Sequence, residues 1–83
     1  MLIRSPKELA LLVVHQRKKL KLSQAEVGNL VGLKQKTISA LENKPGSIQL
    51  DTLFRVLSAL NLDIKLLVKN EADETSAPWK GEW

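Results

Sequence analysis

The sequence predicts a mainly α protein: a bundle of four short helices, then one C-terminal strand, then a polar tail. Three observations carry that reading. Ser-x-x-Glu signatures at Ser5-Pro6-Lys7-Glu8 and Ser23-Gln24-Ala25-Glu26 mark two helix starts. Apolar residues recur at three-to-four spacing between Leu9 and Leu60, as helices with one buried face require. Only residues 63–69 switch to period two.

Helix one is expected over residues 6–20. Ser5 caps it, Pro6 suits the first helical position, and Glu8 closes a capping box. Leu9, Leu12, Val13, Gln16 and Leu20 form its inner stripe, and Arg17, Lys18, Lys19 and Lys21 gather where cations complement the helix dipole. Helix two, residues 24–31, ends at Gly32, a residue suited to the left-handed conformation of a C-cap. In helix three, residues 34–42, only Ile38, Ala40 and Leu41 can face a core, and Asn43-Lys44-Pro45-Gly46 stops it. Leu50, Leu53, Phe54, Leu57 and Leu60 give the clearest stripe, predicting helix four over residues 50–60, closed by Asn61.

Residues 63–69 place Ile64, Leu66 and Val68 on one face of a strand. A single strand makes no sheet, so these three residues predict a dimer interface in which the strand pairs with its copy in a second subunit. A chain of 83 residues also builds only a small core, for which a partner chain is a natural remedy. Residues 1–69 therefore read as one folded domain. Residues 70–83, rich in Glu, Ala, Asp, Thr, Ser and Pro, read as a flexible, disordered acidic tail, although two of the three aromatic residues, Trp79 and Trp83, lie in it.

Charge separates the same two parts. Residues 1–48 carry a net +6, residues 49–69 +1, and residues 70–83 −3. A basic body attracts polyanions, although for charge alone a solvated lysine-rich surface is the somewhat better explanation. Catalysis finds little support. The one histidine, His15, lies within helix one without a cysteine anywhere in the chain, the carboxylates are scattered, and no phosphate-binding glycine loop occurs. No enzyme, metal or cofactor is expected. The longest apolar run, residues 9–14, is far short of a bilayer span, and no signal-peptide pattern is present, so a cytoplasmic protein without membrane association is expected.

Residues 24–43 read as helix, tight glycine turn, helix. Gly28 lets a second helix cross closely, Gly32 permits the turn, and Ile38 and Leu41 fasten helix three so that Gln35, Lys36 and Ser39 face outward. Glutamine, lysine and serine are side chains that read base edges in a major groove. At this point the chain resembles the lambda-repressor-like, Xre-type helix-turn-helix domains over residues 8–62. Gln24, Val27, Gly28, Val31, Gly32, Leu33, Ile38, Ser39, Leu41 and Glu42 fall on the positions of that motif. More narrowly it is similar to the HipB antitoxins in residues 33–39, in Glu42-Asn43-Lys44-Pro45, in residues 53–62 and in the closing Glu82-Trp83.

The resemblance implies a homodimeric repressor of its own operator DNA that also neutralises a HipA-type serine/threonine kinase toxin. It implies DNA contacts from Lys34, Gln35, Lys36, Thr37 and Ser39. It further implies that Gln24 binds a phosphate or supports the reading glutamine. It points to Trp83, with Trp79, as the toxin-binding anchor. Lys36 stands where relatives often carry a small residue, so operator sequence does not transfer. Two other readings remain open: a stand-alone repressor of the same fold without a toxin, and an adaptor that binds protein through its tryptophan-bearing tail.

Overall fold

The computed structural model describes residues 2–69; the expected tail, with Trp79 and Trp83, lies outside the described residues. Helix α1 spans Pro6–Lys19, with the Glu8 amide donating to Ser5 Oγ at 3.1 Å. The expected capping box is incomplete, because the Glu8 carboxylate accepts from the amide of Arg4 at 2.6 Å instead of that of Ser5. Helix α2, Gln24–Val31, has the full box: the Ser23 amide donates to Glu26 Oε1 at 2.8 Å and the Glu26 amide to Ser23 Oγ at 3.0 Å. Helix α3 spans Gln35–Asn43 and α4 spans Leu50–Ala59, and a turn of 3-10 helix at Pro45–Ser47 joins them. Proline at the start of that turn has the backbone angle it needs, so the chain tightens there instead of running as an open loop.

The core is one cluster of Val13, Val27, Ile38, Leu41, Val56, Leu57 and Leu60, ringed by Leu22, Leu33, Ile48, Leu53, Ala59 and Leu62. All four helices therefore contribute, and no charged or polar residue is fully buried among the described residues. Two stripes differ from expectation. In α1 the deepest residues are Ala10 and Val13, while Leu20 becomes the C-cap and lies at the surface. In α4 the buried face is Val56, Leu57 and Leu60, whereas Leu50 and Phe54 are 68% and 54% exposed. Leu50 and Phe54 share one edge of the helix, at i and i+4, and the α1–α3 core fills only the other.

The expected strand is corrected in one respect. Within the described chain residues 62–68 form no ladder, and Ile64, Leu66 and Val68 are exposed, Leu66 by 88%. A ladder needs a second strand edge, and no described element supplies one. The segment instead borders an open groove lined by Phe54, Leu57, Leu62, Ile64 and Leu66. No described helix is long and apolar enough to cross a membrane.

Candidate nucleic-acid interface

The α2–α3 turn depends on both of its glycines. Gly32 adopts φ 72°, left-handed, with open space where a β-carbon would sit. Gly28 is buried, and a β-carbon there would collide with the backbone carbonyl of Leu33, whose own amide donates to Gly28 O at 2.8 Å. The close approach at Gly28 is thus made by the turn folding back on α2, not by a crossing helix as the sequence suggested. Lys34 follows in extended conformation as the N-cap of α3, and its carbonyl accepts from the amides of Thr37 and Ile38.

Ile38 and Leu41, both fully buried, fix which side of α3 faces out. Lys34, Gln35 and Lys36 are exposed, and Thr37 and Ser39 are half-buried. The six residues singled out for DNA contact are thereby gathered at the start of α2 and the first turns of α3. Ser39 has a partner already: Asn43 Nδ2 donates to its hydroxyl at 3.1 Å and to its carbonyl at 2.9 Å.

Beneath this face runs a connected polar chain. Arg17 of α1 holds Glu42 of α3 in a two-pronged ion pair, Nε to Oε2 at 2.7 Å and Nη2 to Oε1 at 3.1 Å. These side chains are only 12% and 5% exposed, which strengthens each bond relative to water. Arg17 Nη1 also donates to the carbonyl of Leu22 at 2.9 Å, bracing the α1–α2 connection. On the other side, Gln24 Nε2 donates to Glu42 Oε1 at 2.9 Å, and Gln35 Nε2 donates to Gln24 Oε1 at 3.3 Å. A line of side chains from α1 thus ends on the exposed amide of Gln35.

The ion pair was missed from sequence, where Arg17 read as a cation complementing the helix dipole and Glu42 as a helix-end residue. Twenty-five positions separate the two, and no local pattern encodes such a contact. The one usable signal was that Glu42 lies one residue beyond the buried Leu41 and so borders the core. His15 is exposed on α1, away from any described cluster of metal-ligating side chains.

Two helices at a glycine-pinned turn, the second offering an outward polar face, define a helix-turn-helix domain, and residues 15–67 match the helix-turn-helix family model. The chain is 35% identical over 82 residues to the antitoxin HipB of Escherichia coli strain K12, covering 98% of this chain and 93% of that protein. It is also 35% identical to HipB of Escherichia coli O6:H1 strain CFT073, covering 87% of that relative. The chain belongs to the HipB antitoxin family of helix-turn-helix proteins, which are regulators and not enzymes. Its fold matches a chain in the HipA-HipB-O2-O3 complex with a TM-score of 0.81 at 34% identity, over 84% of this chain and 99% of that one. A HipB-O4 20mer complex gives the same TM-score, identity and coverage.

Proposed function

We propose that this chain binds operator DNA as a homodimer, represses its own operon, and neutralises a HipA-type serine/threonine kinase in the cytoplasm. The observation that carries the DNA half is the outward face of α3 with Gln35 held by Gln24 at its leading end. Glutamine and lysine at the first turn of a second helix reach base edges in the major groove. Lys34, Gln35, Lys36, Thr37 and Ser39 are the proposed base and groove contacts, and Gln24 the residue that steadies Gln35. The net +6 of residues 1–48 supplies the sequence-independent attraction to phosphate.

The dimer reading is supported by exposed apolar residues: Phe54, Ile64 and Leu66 line one open groove, and Leu50 and Val68 are exposed as well. A second copy would cover them and give residues 63–69 the strand partner that the single chain does not offer. The toxin half rests on membership of the HipB family and on the complexes of relatives with HipA and operator DNA. Residues 1–69 would then be the DNA-binding and dimerisation body and residues 70–83 the toxin-binding tail, with Trp83 and Trp79 as anchors. Tryptophan suits that role because one side chain brings a large apolar area to a partner's pocket.

The test places the chain opposite the product of its neighbouring reading frame, which the proposal expects to be a HipA-type kinase. Co-expression should relieve toxicity, and the chain alone should repress a reporter driven by its own upstream region. A stand-alone repressor would repress without relieving toxicity, an adaptor would bind protein without retaining the upstream DNA on a filter, and either result would overturn the proposal. Removing residues 79–83 should abolish relief of toxicity and leave repression nearly unchanged.

A further inference from the structure

We infer that Glu42, held by Arg17, sets the base preference of the DNA-reading face by fixing which way two glutamine amides point. The inference rests on the proposed role of Gln35 as a base reader, and it adds a specificity-determining role for an ion pair that touches no DNA.

A carboxylate engaged by arginine accepts hydrogen bonds and cannot donate them. Gln24 approaches Glu42 Oε1 at 2.9 Å, so its amide must turn Nε2 toward Glu42. That leaves Gln24 Oε1, an acceptor, facing Gln35, and Gln35 must in turn give one of its two Nε2 hydrogens to it, as the 3.3 Å contact records. What Gln35 keeps for DNA is one N–H donor and its Oε1 acceptor. One donor beside one acceptor matches the major-groove edge of adenine, which offers the N7 acceptor and the N6 donor. Guanine offers two acceptors, N7 and O6, and would need a second donor that Gln35 has already spent.

Had Gln24 been free to rotate its amide by half a turn, Gln35 could accept from Gln24 and keep both N–H groups for guanine. The Arg17–Glu42 pair prevents this. Arg17 occupies both carboxylate oxygens, at 2.7 and 3.1 Å, and the pair is nearly sealed from water, so the acceptor offered to Gln24 stays in place. Glu42 is a positioning residue: it acts through Gln24 and never meets a base.

The experiment selects bound duplexes from a randomised pool with the full chain and with Gln35→Ala, Glu42→Gln and Gln24→Ala. The position whose preference is lost in Gln35→Ala is the one Gln35 reads. There the unchanged chain should enrich adenine over guanine by about tenfold or more, the discrimination of a good bidentate pair. Glu42→Gln, whose side chain can donate as well as accept, and Gln24→Ala, which removes the relay without baring a charge, should both lower the adenine-to-guanine ratio at that position by severalfold, although a free Gln35 can still pair with adenine. A merely structural loss would lower the amount of DNA bound without changing that ratio, and if Glu42→Gln does not fold, Gln24→Ala carries the test. An unchanged adenine-to-guanine ratio in the variants, or guanine preferred by the unchanged chain, overturns the inference. If Gln35→Ala alters no position, it is the reading of α3 as the DNA contact that has failed.

Discussion

Gly28 and Gly32 close the same turn for different physical reasons, and a pair of substitutions at each separates them. At Gly32 there is room for a side chain but φ is 72°, so Gly32→Ala should cost about 1–2 kcal/mol through backbone conformation. Gly32→Asn should recover part of that, because asparagine tolerates the left-handed region. At Gly28 the obstacle is the Leu33 carbonyl, so alanine and asparagine should be equally harmful, at about 1–3 kcal/mol or more. In a domain of this size each kcal/mol lowers the melting midpoint by about 4–8 °C, so thermal unfolding of the four variants resolves the pattern. A partial rescue by asparagine at Gly28 would contradict the steric account. Both glycines were legible in the sequence as turn residues. What Gly28 avoids was not, because the near neighbour is a carbonyl five positions on, placed there only once the turn has formed.

Among the elements, α1 and α4 show how far periodicity reaches. The four helices, their order and, to within one residue, their ends follow from caps, glycines and apolar spacing, signals that act within a few residues. The Arg17–Glu42 pair joins α1 to α3 and has no such local signature. Its removal should also differ sharply from loss of the exposed i,i+4 pair Asp51–Arg55, 3.5 Å apart with side chains 78% and 49% exposed. Arg17→Met strands a nearly buried carboxylate and should cost about 3–5 kcal/mol, whereas Arg55→Ala should fall within about 1 kcal/mol, as read by urea unfolding. Equal losses would show that the Arg17–Glu42 pair is no stronger than a surface contact. In α4 the apolar stripe was read correctly as helical but not divided between the chain's own core and an uncovered edge, because sequence records that a face is apolar and not what covers it. Phe54→Ser should keep the helical content and shift the protein toward monomer in sedimentation. Leu66→Pro, which would remove a donor from the proposed intersubunit ladder, should do likewise. A stable folded monomer of the unchanged chain at micromolar concentration would contradict the dimer.

For the whole molecule, charge and shape have separate tasks. In the proposed function the basic body would attract any duplex through counterion release, and α3 would then add preference for one sequence. A dimer carrying two copies of α3 should occupy a near-palindromic site with half-sites about 34 Å apart, or a multiple of that distance. Lysines that touch only phosphate weaken all sequences alike when removed and flatten the dependence on salt. The outward placement of Gln35 and Lys36 on α3 was readable from the spacing of Ile38 and Leu41, whereas Ser39, expected to face outward with them, lies half-buried and bonded to Asn43. The support of Gln35 by Gln24 was implied by the family resemblance, but its continuation to Glu42 and Arg17 was not legible, since it is assembled from three helices. The most direct test of the account is a binding titration of the chain and its Gln35→Ala variant against the chain's own upstream DNA and against random duplex of equal length. The account predicts that Gln35→Ala costs about 1–3 kcal/mol on the upstream site and leaves random duplex unchanged. Equal weakening on both duplexes would show that α3 does not read the sequence, and would contradict it.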